Sequence, residues 1–455
     1  MKLRGLVRRK DGSKLARSSR LFIGIYVSSN FRKLEAAIIN APSVKEETSV
    51  VLHKSLAFDL PIEISKTRDE IIQRLSYERN YTRNSSNEDE SSSKNECVND
   101  ERGSRLPALE KYAELRVMLA AVSEEAIDEL LTGTELKKDD VVAVSVNAPA
   151  FHLESKQLRG TETILSTVDA LRLSESTGLN VIDGFATSEF SCGNRELFLY
   201  PYWILLGDAS RDKLVIDLGD TARLYFLPRY NPLSDESKGK LRYEDVVLCG
   251  RLLDGLTKSA TKGEAEIDVG GRLSVQGRCV KELLDLWREG GNEGSSSNAN
   301  GVSAASKKDA LNESYYLSKL LSAETKVSTL DALCTAVHWI VEQIQTTVQK
   351  YERDGCGSSY DVLLLGGGRY NGLLYSKLSS IFASRRINVI DNFFSEDSFD
   401  AVANAVLGVL RVQGVPAYWY DGTDLKKRVC GRIVPGDFEA YKRLQHFSSL
   451  SDDFE

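Results

Sequence analysis

LVIDLGDTARLYFLP, residues 214–228, sets two apolar runs around a Gly-Asp-Thr break. Runs rich in aliphatic and aromatic residues on either side of a glycine turn read as a β-hairpin. Downstream, DVLLLGGGRYNGLLYSKLSSIF (residues 361–382) gives a buried strand, a glycine turn and a helix in succession. Upstream, FIGIYVSSNFRKLEAAII (residues 22–39) repeats the hairpin pattern around a polar Ser-Ser-Asn turn. Between these pieces, residues 106–131 and 166–178 carry helical periodicity, the second ending at Gly178, and residues 141–153 read as a strand followed by a loop. Residues 326–352 form a long amphipathic pattern. Strands alternating with helices predict an α/β fold.

The chain has 455 residues, too many for one compact core, which suits two lobes with insertions. Apolar residues make up 42%, charged residues 27%, and the formal net charge is -7. That balance lacks the concentrated basic face of a nucleic-acid binder, and no apolar run approaches the roughly 18 residues of a membrane helix. Seven cysteines, Cys97, Cys192, Cys249, Cys279, Cys334, Cys356 and Cys430, are scattered without a C-x-x-C pair, as expected of reduced thiols in a reducing compartment. Residues 1–21 are basic, with Asp11 as the single acid, and read as a disordered tail or a presequence. The expected location is cytoplasmic, with mitochondrial import as the alternative. Residues 78–105 and 290–308 are rich in Ser, Asn and charge and are expected to be disordered inserts. The expected lobes are residues 22–185 and 186–438, followed by a tail over 439–455.

Residues 183–201, DGFATSEFSCGNRELFLYP, resemble in length and landmarks the stretch D-F-R-x-x-D-x-A-A-G-G-Q-G-A-P-L-x-P of the anhydro-N-acetylmuramic acid kinases, sugar kinases of the actin and hexokinase superfamily. Without a gap, Gly184, Phe185 and Ala186 fall on D-F-R, Glu189 on the catalytic aspartate and Pro201 on the final proline. The hairpin at residues 22–39 is similar to the family's x-I-G-x-M-S-G-T-S-x-D-G-x-D-x-A, and the one at 214–228 to x-V-x-N-I-G-G-I-A-N-x-T. LLLGGGRYNGLL resembles G-G-G-x-x-N, and EIDVGGRLSVQG (residues 266–277) keeps Asp268, Gly270, Gly271 and Gly277 of D-x-G-G-x-x-A-x-x-G.

The resemblance implies two ribonuclease-H-like lobes of the actin-like ATPase type with a cleft between them, ATP and Mg2+ as cofactors, a small sugar as substrate, and a homodimer. It places Glu189 as catalytic base and Ser29, Asn30, Gly219, Gly366, Gly367, Gly368 and Asn371 around the nucleotide. Asp217 is placed at Mg2+, and His152 and Asp245 near the sugar. Glycine turns suit this chemistry because main-chain N–H groups must approach phosphate oxygens closely.

Departures from the family pattern concentrate in the polar groups. Ser28 replaces a turn glycine, Arg32 and Glu35 replace aspartates, and Asp220 and Arg223 stand on a glycine and an asparagine. Arg32 reads either as a phosphate contact or as a solvated surface residue. Ser145, Val146, Asn147, Ala148 and Pro149 occupy the sugar-facing S-H-G-Q-T. Unpaired sugar hydroxyls cost about 1–3 kcal/mol each. Three readings follow: an ATP-binding kinase-like protein with weakened or lost phosphotransferase activity, an active sugar or amino-sugar kinase of altered specificity, and a non-catalytic scaffold.

Overall fold

The computed structural model describes residues 6–8, 20–28, 30–41, 50–84, 97–154, 162–185, 195–231, 235–292, 316, 327–356, 359–383, 387–389, 398–420 and 425–449. The chain forms two compact units: Met1–Leu205 with Phe393–Trp419 and Lys426–Glu455, and Leu206–Asn392 with Tyr420–Leu425.

Unit 1 begins with the short strand β1 (Leu6–Arg8), then β2 (Leu21–Val27), β3 (Lys33–Asn40) and β4 (Val50–Asp59). Helices α1 (Ile62–Asn84) and α2 (Cys97–Leu131) lead into β5 (Val141–Asn147). A small hairpin, β6 (Ala150–Glu154) with β7 (Glu162–Ser166), precedes α3 (Ala170–Thr177), β8 (Val181–Asp183) and α4 (Leu199–Leu206).

Unit 2 carries β9 (Asp212–Leu218), β10 (Thr221–Leu227), α5 (Asp235–Gly239), β11 (Arg242–Leu248), α6 (Gly250–Ala260) and α7 (Lys281–Asn292). It continues with α8 (Thr329–Arg353), β12 (Tyr360–Leu365), α9 (Gly372–Ile381) and β13 (Ile387–Val389). The chain then gives α10 (Phe399–Val412), the two-stranded ribbon β14 (Ala417–Tyr420) and β15 (Leu425–Arg428), β16 (Arg432–Val434) and α11 (Phe438–Ser449).

The sheets share one plan. In unit 1 the order is β1-β4-β3-β2-β5-β8-β16, and in unit 2 it is β11-β10-β9-β12-β13. Each therefore contains an antiparallel meander of three strands, with two later strands added parallel beside the first. Central strands β2 and β5 are buried along their whole length, the pattern of a sheet covered on both faces. On one face of unit 1, Leu21, Ile23 and Ile25 join Leu115, Leu119 and Ile127 of α2 in a core. On the other, Phe22 meets Phe447 of α11 with ring centroids 5.1 Å apart, and Gly24 lies beneath α10. The amide of Asn404 on α10 donates to the carbonyls of Ile25 (2.9 Å) and Ser145 (2.7 Å), pinning the helix to two adjacent strands.

Several expected boundaries move. The segment 78–105 was expected to lack structure, yet α1 runs to Asn84 and α2 starts at Cys97, so only residues 85–96 lie outside the described residues. A helix anchored along part of its length can run on past its packed turns, and α1 and α2 are anchored by Ile64, Ile71 and the α2 core residues. Of the expected insert 290–308, residues 290–292 finish α7 and the rest lies outside the described residues. Within the basic segment 1–21, β1 pairs parallel with β4.

The lobe division falls at 205/206 rather than 185/186. Helix α4 belongs to unit 1, where Tyr202 donates to Asp400 (2.8 Å) and packs at a tilt against Phe399. The expected tail 439–455 contains most of α11, whose Phe447 is buried. Asn180 ties α11 down: its amide donates to Val142 O (2.8 Å) and Ala440 O (2.7 Å), and its carbonyl oxygen accepts from Gly436 N (3.0 Å). Among the described residues no helix is long and apolar enough to cross a membrane.

A methyl group at position 24 would overlap the carbonyl oxygen of Ala401 and lie 2.6 Å from the amide of Ala405. Both contacts are main chain, so neither yields by rotating a side chain. Gly24→Ala should lower unit 1 stability by about 3 kcal/mol or more, measured by urea unfolding.

Candidate functional site

The β9–β10 turn of unit 2 is enclosed by main chain. At Gly366, φ is 79°, and a Cβ there would lie 2.5 Å from Leu218 C and 2.6 Å from Gly219 N. A Cβ on Gly368 would meet Leu218 O at 2.8 Å, whereas one on Gly367 meets nothing within 4 Å. From the other side, Gly250 N donates to Gly219 O (2.9 Å) and Cys249 N to Asp220 O (2.9 Å). Of the four expected nucleotide glycines, Gly366 and Gly368 are thus explained by packing against the turn. Gly367 is the one facing open space.

Sheet register sets the charges of this site. Arg223 on β10 stands directly opposite Asp217 on β9 and Asp245 on β11, and a bulge at Ala222/Arg223 adjusts the β11 side. Its Nε donates to Asp245 Oδ1 at 2.8 Å, and Nη1 lies 3.5 Å from Asp217 Oδ2. Tyr243 also donates to Asp245 Oδ1 (2.8 Å). The side chains of Arg223 and Asp217 are 10% and 6% exposed, so this is a buried pair, and loss of one partner costs about 3–5 kcal/mol. Beside it the Cys249 thiol is pushed well above the ordinary thiol range, by burial first and then by the carboxylates of Asp217, Asp254 and Asp220.

The remaining expected groups of unit 2 serve the backbone. Asn371 is the N-cap of α9: its Oδ1 accepts from Leu374 N (3.1 Å), while its Nδ2 donates to Ser274 Oγ (3.4 Å). Gly271, at φ 74°, allows close packing on that asparagine. Asp268 accepts from Leu273 N (2.8 Å) and Ser274 N (3.0 Å), fixing the loop that supports Asn371.

In unit 1 the β2–β3 turn closes on itself. Ser28 Oγ accepts from Lys33 N (2.9 Å) and donates to Asn30 Oδ1 (2.8 Å), which also accepts from Arg32 N (3.0 Å). Phe31 N donates to Ser28 O (2.9 Å), and Ser28 N to Lys33 O (2.9 Å). Phe31 itself sits at φ 56°, a left-handed conformation costing a bulky residue roughly 1–2 kcal/mol, held by burial of its ring. The side chain of Arg32 is exposed. Ser29 and Glu189 lie outside the described residues, and of His152 only the backbone, on β6, is described. The expected site residues thus fall in two sets. Asp217, Gly219, Asp245, Gly366, Gly367, Gly368 and Asn371 share unit 2; Asn30 and His152 belong to unit 1.

A Mg2+ ion requires about six oxygen ligands in octahedral array. The expected metal carboxylate, Asp217, instead faces a guanidinium, and among the described residues no group of three or more His, Cys, Asp or Glu side chains is placed to hold a metal. With a guanidinium 3.5 Å from its Oδ2, Asp217 does not fit the part of a carboxylate that holds the ion. Arg223 was not singled out as a charge partner from the sequence. The available signal was a lone cation in the strand TARLYFL, opposite Asp217 once the hairpin register is drawn.

Two sheets of strand order three-two-one-four-five, each with an antiparallel meander and two parallel additions, define the ribonuclease-H-like class that includes actin and hexokinase. The family profile described as anhydro-N-acetylmuramic acid kinase matches residues 94–436, more than half of the chain, and the chain belongs to that family. A curated anhydro-N-acetylmuramic acid kinase from Gloeobacter violaceus is 23% identical over 322 residues, covering 69% of this chain and 79% of the relative. Among solved structures, the activator of 2-hydroxyisocaproyl-CoA dehydratase from Clostridium difficile is similar with TM-score 0.35 at 12% identity, covering 85% of this chain and 94% of that one. The xylulose kinase from Rhodospirillum rubrum is similar with TM-score 0.35 at 9% identity, covering 96% and 97%.

Two outcomes follow from the packing. Asn371→Ala should lower stability by about 1–2 kcal/mol through loss of the α9 cap, read from chemical denaturation. In native protein at pH 8, iodoacetamide followed by peptide mass spectrometry should leave Cys249 unlabelled, and labelling should appear only on unfolding, because the thiol is buried and its thiolate disfavoured.

Proposed function

We propose that the protein is an anhydro-N-acetylmuramic acid kinase-like protein that binds ATP weakly and has weakened or lost sugar phosphotransferase activity. The observation carrying this reading is the β2–β3 turn. A phosphate-holding turn offers main-chain N–H groups with no intramolecular acceptor. Here the amides of Ser28, Phe31, Arg32 and Lys33 each have an acceptor within the turn. Opening the turn to a phosphate would break bonds worth about 1 kcal/mol each and return little beyond what is lost.

Nucleotide binding is retained in this reading because Gly367 faces open space at the strand-to-helix turn, where main chain and ligand can approach. Loss of transfer follows from the polar groups already committed elsewhere. Asn371 caps a helix, and Asp245, expected near the sugar, accepts from both Arg223 and Tyr243. The active reading, with Glu189 as base and Asp217 at the metal, requires Asp217 to be available, and Arg223 stands against it.

Calorimetry of the purified full chain with Mg-ATP tests the reading, with Gly367→Arg as the blocking control. Expected is a dissociation constant of about 1 mM, on the order of 4 kcal/mol, abolished by the substitution, with no phosphorylation of the anhydro sugar. Turnover near 10 s-1, an ordinary enzyme rate, would show instead an active kinase. Absence of any heat up to several millimolar nucleotide would remove ATP from the proposal.

A further inference from the structure

We propose that Arg223 occupies the functional place of the divalent cation in unit 2, and that the row Asp217, Arg223, Asp245 closes this site to metal ions. The inference goes beyond the assignment of weak nucleotide binding, and its test uses metal alone, so that the nucleotide result does not touch it.

Three features argue for a built-in cation. First, the row is written into the sheet: one arginine on the central strand of three has an aspartate directly opposite on each neighbour. Side chains directly opposite across a sheet share a face. Second, the guanidinium lies between the two carboxylates: Nε donates to Asp245 at 2.8 Å, while Nη1 donates to Thr221 O (3.4 Å) and stands in ion-pair contact with Asp217 at 3.5 Å. A planar fork serves two acceptors in this way; an ammonium is a single point charge. Third, the group is held still, since Arg223 is 8% exposed and Tyr243 fixes the far carboxylate with a second hydrogen bond.

The same geometry states what its removal would do. Neighbouring strands lie about 4.8 Å apart, so the backbones of Asp217 and Asp245 are separated by about 10 Å. With the arginine present, that span is filled by carboxylate, guanidinium and carboxylate, with net charge -1. Cut back to asparagine, the residue that the family resemblance places here, the span keeps two carboxylates at net charge -2 and gains the volume of a side chain. Oxygen ligands, negative charge and room are what a hard divalent cation selects.

Mn2+ binding to the nucleotide-free full chain, followed by loss of the free-ion electron paramagnetic resonance signal, decides the matter. Wild type should bind no Mn2+ that Asp217→Asn removes, at metal concentrations up to about 1 mM. Arg223→Asn should gain one Mn2+ at least about tenfold tighter than any site of the wild type, and Asp217→Asn in the same chain should abolish it. Arg223→Gln is the second variant should Arg223→Asn fail to give a cooperative melt. Asp217-dependent Mn2+ binding by wild type overturns the inference, and this comparison needs no arginine variant. So does a cooperatively folded arginine variant that gains no Asp217-dependent metal.

Discussion

Close approach of main chain to main chain governs unit 2. The turn after β9 has Gly366 and Gly368 against one side and the amides of Cys249 and Gly250 bonded to the other. Contacts of this kind leave no side chain to rotate and no slack to absorb a shift. They fix where β9 ends and β10 begins, and hence the register that sets Arg223 between two aspartates. A glycine at such a point is retained for fold alone, whatever becomes of the chemistry nearby.

This separates two kinds of residue in the chain. Residues whose role is steric, Gly24, Gly271, Gly277, Gly366 and Gly368, keep the family spacing. Residues that offer a hydrogen bond do so within the fold. Ser28 and Asn30 close their own turn, Asn371 and Asp268 hold backbone amides, and Asp217 and Asp245 share a cation. A buried polar group without its ligand is costly unless a neighbour satisfies it. Ser28, Asn30, Asn371, Asp268 and Asp245 each have such a neighbour.

Much of this was legible in the sequence, and the remainder had identifiable causes. Both hairpins, the strand-glycine-helix passage at 361–382 and the long helix α8 follow from apolar periodicity and turn residues, which are local signals. Helical ends of 78–105 were missed because composition says nothing of a helix anchored farther along. The capping role of Asn371 is written in its place just before an apolar helical run, and reading it only as a ligand overlooked that. Arg223 required register. Asp217 was read as a metal group and Arg223 as a changed asparagine, while their being cross-strand neighbours depends on which residue of the turn is unpaired. Glu189 and Ser29 lie outside the described residues, and their expected roles stand on resemblance alone.

The return of the chain to unit 1 has a consequence for synthesis. All of unit 2 except Tyr420–Leu425 lies within Leu206–Asn392, whereas the sheet of unit 1 is covered by α10 and α11, from residue 399 onward. A ribosome making this chain from its N-terminus therefore releases β2 to β8 long before the helices that bury their second face. Between the end of β8 and the start of α10 lie some two hundred residues, on the order of 10–40 s of elongation, before the partners of Phe22 (Phe447) and Gly24 (Ala401) are made. Unit 2 meets its own partners as they emerge. All of unit 2 but Tyr420–Leu425 is thus made before the last elements of unit 1.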